Sequence, residues 1–175
     1  MAEKNEKEVE LHFEGENLLL KPDVYKPLFT SFTHLFRNAI DHGLESSEER
    51  RYSDKTEVGN IIVRADSKDG WLYLKISDDG RGIDLGAIEQ KARSKKLLSD
   101  HALESISEAE LMMLIFEDGF SSLDSCSKYS GRGVGLSAVR EAVEKLGGNI
   151  SVASESGKYT QFNIEVPFYS IDVNS

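Results

Sequence analysis

The run Trp71-Leu72-Tyr73-Leu74-Lys75-Ile76-Ser77 alternates apolar and polar side chains and leads straight into Asp78-Asp79-Gly80-Arg81-Gly82. Alternation over this length marks a strand with one buried face. Leu72, Leu74 and Ile76 point inward, and Asp78 continues the inward row. An inward carboxylate is costly unless it meets hydrogen-bond donors. Whatever this chain folds into must therefore bring donors to the end of that strand. The exocyclic amine of an adenine is one such donor, and the glycines that follow let backbone lie flat against a base. The plainer alternative is a tight turn leaving a strand.

The other elements frame this strand. Val9, Leu11 and Phe13 alternate as a short strand, Gly15 to Asn17 reads as a turn, and Leu18 to Lys21 as a segment pairing back. Asp23 is placed to cap a helix that stops at Gly43, with Pro27 tolerable only in its first turn. Glu45 to Asn60 is polar and reads as irregular. Ile61 to Ala65 forms a strand joined to the next by Asp66 to Gly70. Asp84 caps a helix reaching about Lys96, and Ser107 with Glu110 forms a capping box. A helix from about Gly133 to Leu146 and a hairpin of Asn149 to Ser154 with Thr160 to Val166 close the chain. This order predicts an α+β fold, a mixed sheet covered on one face by helices.

The chain has 175 residues, which is the length of one domain, with a core from about Val9 to Pro167. It carries 21 Lys and Arg against 31 Asp and Glu, a formal charge of −10, which argues against a nucleic-acid surface. An anionic ligand would need local backbone N–H groups, a helix N-terminus or a metal ion. The single cysteine, Cys126, forms no internal disulfide, in keeping with a reducing, cytoplasmic setting. No run of about 18 apolar residues encodes a membrane span, and the charged start has no apolar signal-peptide region.

The helix from Asp23 to His42 has two distinct sides. Leu28, Phe32, Leu35, Phe36 and Ala39 form the core stripe. His34, Asn38 and Asp41, with His42 beside them, gather opposite. Two imidazoles, a carboxamide and a carboxylate suit a hydrated cation or a phosphate better than a plain solvated face, and asparagine is a poor mid-helix residue. Further on, Phe116 and Phe120 bracket Glu117-Asp118-Gly119 as anchors where a segment leaves the core. The polar stretch from Glu117 to about Gly131 has no evident secondary structure, and a loop of this length is expected to act as a lid, mobile without ligand. Gly131-Arg132-Gly133-Val134-Gly135-Leu136 then opens a helix, exposing N–H groups to an anion. It is neither a dinucleotide-binding G-x-G-x-x-G nor a G-K-[ST] phosphate loop.

In this order the segments resemble the four motif boxes of the GHKL ATPase and kinase superfamily. These are His34-Leu35-Phe36-Arg37-Asn38-Ala39-Ile40-Asp41-His42-Gly43, Asp78-Asp79-Gly80-Arg81-Gly82-Ile83-Asp84, the Phe116–Phe120 segment, and Gly131-Arg132-Gly133-Val134-Gly135-Leu136. Gly157-Lys158-Tyr159-Thr160-Gln161-Phe162 resembles the closing G-x-G-T-x-F element, with Tyr159 in place of glycine. The style is closest to the ATP-binding catalytic domains of CheA-like histidine kinases. The resemblance implies a two-layer α/β sandwich of the Bergerat type that holds ATP with Mg²⁺ under a lid. It implies that Asp78 accepts from the adenine amine with Thr160 helping through water, that Gly82 lines the base pocket, and that Asn38 holds the magnesium ion. His34 and His42 would face the triphosphate as catalytic neighbours of Asn38. Gly131, Gly133 and Gly135 would wrap the phosphates. Asp41, Gly80, Ile83, Phe120, Arg132, Val134 and Leu136 are assigned to the same nucleotide, with Arg37 and Lys91 as further phosphate contacts.

The implied reaction is transfer of the ATP γ-phosphate to a histidine on a separate phosphotransfer domain, which needs in-line positioning and charge neutralisation. The acceptor domain, a response regulator and the other domains of a dimeric parent kinase are the implied partners, the excised domain itself being monomeric. The alternatives are an ATP-driven clamp of the same superfamily, a serine kinase of the anti-sigma type and a non-catalytic ATP-binding module. Clamps usually carry a glutamate general base where His34 stands here, which favours the kinase reading.

Overall fold

A computed structural model describes residues 7–118, 120 and 135–171 of the chain. Five strands form one mixed sheet. They are β1 (Val9–Gly15), β2 (Gly59–Lys68), β3 (Trp71–Asp78), β4 (Asn149–Glu155) and β5 (Tyr159–Pro167), in the order β1-β2-β3-β5-β4. β1 runs parallel to β2, and the other pairs are antiparallel. In β3, Leu72, Leu74, Ile76 and Asp78 are buried while Trp71, Tyr73 and Lys75 are exposed, as alternation requires. The helices lie over the buried face, so the fold is the expected two-layer α+β sandwich.

Six α-helices are described: α1 (Pro22–Asn38), α2 (Ser47–Tyr52), α3 (Leu85–Ser94), α4 (Asp100–Ser105), α5 (Glu108–Met113) and α6 (Leu136–Lys145). The main core joins Tyr25, Leu28, Phe32 and Leu35 of α1 and Val139 and Val143 of α6 to Leu72, Leu74, Ile76, Phe162 and Ile164 of the sheet. A smaller cluster packs Ile88 and Ala92 of α3 with Leu103, Leu111 and Phe120. Asp84, Ser99 and Ser107 cap α3, α4 and α5 through their side chains.

The structure departs from the sequence expectation in several places. Leu18 to Lys21 does not pair with β1. Leu20 bridges to Ser170, and Lys21 N–H donates to the Tyr169 carbonyl at 3.0 Å. Pro22 opens α1 and Lys21 is its N-cap, so Asp23 lies inside the first turn rather than capping it. Pro27 lies deeper in the helix than its first turn, on the exposed face, and cannot donate to the Asp23 carbonyl. Lys68 still pairs with Trp71, so the β2–β3 turn is only Asp69-Gly70, both with positive φ (51° and 80°), as a two-residue hairpin requires. The segment read as irregular contains α2, held by a capping box of Ser46 and Glu49. α4 lies where no element was assigned.

Candidate nucleotide site

α1 does not end as an ordinary helix. At Asn38 it widens into a π-turn, Ala39–Gly43, closed by Leu44 N–H donating to the Ala39 carbonyl at 2.7 Å. Single π-turns inside helices occur often at functional sites. This one carries Gly43 up to the loop after β3, where Arg81 N–H donates to the Gly43 carbonyl at 2.8 Å. A Cβ on Gly43 would stand 3.3 Å from Asp78 Oδ1. A Cβ on Gly80 would stand 2.3 Å from the Gly43 carbonyl oxygen, so residue 80 has no room for a side chain. Gly82 has φ +73° and faces the Glu155 carbonyl at 2.4 Å from a built Cβ, a second place that only glycine fits. Ser154 Oγ receives Ile83 N–H at 2.8 Å and donates to the Tyr159 carbonyl at 2.8 Å, tying the loop to the β4–β5 hairpin. Gly157 supplies the positive φ of that hairpin (78°), so Tyr159 sits in extended strand without strain.

These contacts leave a cleft of about 120 Å³ between the end of α1, the β3 loop and the start of α6. Asn38, His42, Asp78, Gly82, Ile83, Leu136 and Thr160 line it, all of them singled out in the sequence. Ala39, Gly43, Ile115 and Phe162 complete the wall and carry no chemical signal of their own, since a small residue or an apolar wall looks like core in a sequence. The cleft is thus mostly apolar with a few convergent polar groups, the usual composition of a small-molecule site.

Asp78 is 6% exposed and accepts Gly80 N–H at 3.0 Å. Burial pushes its carboxyl up from 3.8 to about 6; the Gly80 hydrogen bond opposes the rise, Asp79 and Glu45 add to it, and Lys55 opposes it. Thr160 is paired opposite Asp78 across β3 and β5 and is equally buried. Asp79 points the other way. Burial alone would raise it, but hydrogen bonds from the Asn60 side chain and backbone and from Arg50 outweigh that and hold it below the usual carboxylate range.

The remaining described candidates are not among the residues of the cleft wall. His34 is half-buried one turn before Asn38, and burial first, then Arg37, pushes its imidazole below the ordinary value. Arg37 and Asp41 are exposed. Gly80 backs Asp78. Lys91 Nζ sits 5.3 Å from the centre of the Phe120 ring, and Phe120 is buried in the smaller cluster. Gly135 is the N-cap of α6. Gly131, Arg132, Gly133 and Val134, and most of the expected lid, lie outside the described residues.

Comparison with known proteins places the chain in a family. Over 161 residues the chain is 41% identical to the chemotaxis protein CheA of Treponema pallidum, covering 92% of this chain and 20% of that protein. It is 38% identical to the sensor histidine kinase CheAY of Helicobacter pylori over the same shares. The chain therefore spans about a fifth of the length of these curated relatives. Among solved structures it superposes on the mycobacterial sensor histidine kinase MprB with a TM-score of 0.54 at 19% identity, over 93% of this chain and 84% of that one. It superposes on the histidine kinase domain of the Erythrobacter litoralis EL346 blue-light activated kinase with a TM-score of 0.52 at 16% identity, over 91% and 52%. Identities this low speak for the fold alone. Residues 24–170 match the model of the histidine kinase-, DNA gyrase B- and HSP90-like ATPases, and the chain belongs to that family.

Proposed function

We propose that this chain is the ATP-binding catalytic domain of a CheA-like histidine kinase, which passes the γ-phosphate of ATP to a histidine on a separate phosphotransfer domain. The observation that carries the reading is that Asp78 and Asn38, forty residues apart in the chain, line one cleft. In that cleft Asp78 accepts from the adenine amine, with Thr160 beside it; Gly82 and Ile83 pass along the base; Asn38 and His42 stand toward the phosphates.

A carboxamide oxygen with phosphate oxygens is a hard-oxygen donor set that suits magnesium, since this ion keeps several waters and takes few protein ligands. Among the described residues no three His, Cys, Asp or Glu side chains are grouped to hold a metal ion. The donors therefore suit an ion that enters with the nucleotide, held by the Asn38 carboxamide oxygen. When bound, it supplies charge neutralisation on the phosphates. Burial first, then Arg37, disfavours the charged form of the His34 imidazole. The clamp ATPases usually carry a glutamate general base where His34 stands, and the absence of that glutamate favours phosphotransfer to another domain over hydrolysis.

The partners follow from this reading: the phosphotransfer domain, a response regulator and the rest of a longer, dimeric kinase in the cytoplasm. Among the described residues no helix is long and apolar enough to cross a membrane. The test is titration calorimetry with Mg-ATP. The wild-type domain should bind, and Asp78→Asn should lose at least tenfold, because one acceptor oxygen becomes a donor facing the adenine amine. Unchanged affinity in the variant would remove Asp78 from the base site.

A further inference from the structure

We propose that Lys55 and Arg50 are positioning residues for nucleotide recognition, acting on Asp78 through the 79–80 peptide. The inference rests on the nucleotide reading above and extends it to residues that touch no part of the cleft. Strand alternation sends Asp78 into the cleft and Asp79 out of its back, toward α2 and the turn that follows it. There Arg50, only 1% exposed, donates through Nη2 to Asp79 Oδ2 at 2.8 Å, through Nη1 to Glu45 at 3.2 Å and to the Asp79 carbonyl at 3.3 Å, and through Nε to the Thr56 carbonyl at 2.6 Å. Lys55 Nζ donates to the Asp79 carbonyl at 2.9 Å, the Gly80 carbonyl at 2.8 Å and Glu45 Oε1 at 2.9 Å. Asn60 closes the cluster on both Asp79 carboxylate oxygens.

In a trans peptide the C=O and the next N–H point in opposite directions. Two cations holding the Asp79 carbonyl therefore aim the Gly80 N–H the other way, onto Asp78 Oδ1, where it donates at 3.0 Å. The cations also polarise that peptide and strengthen its N–H as a donor. Lys55 and Arg50 thus fix the rotamer of the carboxylate and favour its ionised form, without contact with the ligand.

The charged and titratable groups around Asp78 come from every neighbouring element: His42 from the π-turn, Glu45 and Lys55 from the segment before β2, Arg50 from α2, and Asp79 and Arg81 from its own loop. β2 and β5 contribute the neutral Asn60 and Thr160. Glu45 and Lys55 act on Asp78 in opposite directions, which gives a test that ordinary loss of structure does not mimic.

ADP affinity of the domain, without magnesium, is measured by calorimetry from pH 5 to 8 for wild type, Lys55→Met and Glu45→Gln. The ligand's own ionisation is common to all three, so only differences count. Lys55→Met should move the pH midpoint of binding upward and lose about threefold in affinity near pH 6, the equivalent of half a pH unit. Glu45→Gln should move the midpoint downward. Should Lys55→Met not fold by circular dichroism, the direction of the Glu45→Gln shift decides alone. An unmoved midpoint, or movement of both variants in one direction, overturns the proposal even if affinity drops. Absence of ADP binding by the folded wild-type domain would instead refute the nucleotide reading itself, so the two failures are distinct.

Discussion

Asp78 holds the conflict on which the site is built. Its folded carboxyl titrates near 6 against an ordinary 3.8, so between those values the folded chain binds more protons than the unfolded one. Stability from this group therefore falls as pH rises from about 4 to 6, and the penalty is complete above 6. Two pKa units correspond to at most about 3 kcal/mol. Asp78→Asn removes the buried charge while its amide oxygen still accepts from Gly80. The ligand-free variant should be about 1–3 kcal/mol more stable than wild type at pH 7.5 and equal to it at pH 3.5 in urea denaturation. A variant less stable at pH 7.5 would contradict the desolvation account. Asn38 has no such conflict. Asn38→Ala should leave magnesium-free ADP affinity within about threefold but lower phosphotransfer to an added acceptor domain at least tenfold. Normal transfer would take Asn38 out of the metal site.

At the scale of elements, α2 decides how firmly the β3 loop is held. The Ser46 hydroxyl receives Glu49 N–H and the Glu49 carboxylate receives Ser46 N–H, so the short helix is capped reciprocally. Ser46→Ala should cost about 1 kcal/mol. Arg50→Met should cost more, about 2–4 kcal/mol, because it removes the buried cation between Glu45 and Asp79 and leaves them only Lys55 and Asn60. Equal and small losses in thermal denaturation of the two variants would refute that ranking. The sequence reveals these elements unevenly. β3, α3, α5 and the β4–β5 hairpin are legible because alternation, capping residues and turn glycines are local signals. The wall residues Asn38, His42, Asp78 and Thr160 are legible through their motifs. α2 shows a Ser46-x-x-Glu49 capping box as plain as that of Ser107, but its six residues carry no apolar stripe, because the helix buries Arg50 where a core residue would normally stand. A buried guanidinium leaves no trace in hydropathy. Nor does the β1–β2 pairing, which joins Val9 to Gly59 across fifty residues.

Across the whole molecule, a second anchor of stability lies at the end of the sheet opposite the cleft. Asp78 and Thr160 are paired at one end of the central strands, and Trp71 and Pro167 at the other. At about 3.3 Å per residue, seven steps along β3 separate the two ends by about 23 Å. The far end is where the chain after β5 ties back to the segment before α1. Tyr25 Oη donates to the Pro167 carbonyl at 2.6 Å and accepts Tyr169 N–H at 2.8 Å. Lys21 N–H donates to the Tyr169 carbonyl, Ile171 N–H to the Leu19 carbonyl, and the Tyr169 ring lies 6.4 Å from that of Tyr25. Removing Tyr169 and everything after it deletes three hydrogen bonds at about 1 kcal/mol each. The truncated chain should lose about 2–4 kcal/mol of unfolding free energy, because Tyr25 sits at the head of the core helix α1 and keeps only its bond to Pro167. ADP affinity, measured well below the new melting temperature, should stay within twofold, since the described part of the deleted segment, Tyr169 to Ile171, is tied to Leu19, Lys21 and Tyr25 at the sheet end away from the cleft. A tenfold loss of affinity in the folded truncated protein would show that the two ends are coupled through α1, and that the cleft depends on the whole helix rather than on its last turn.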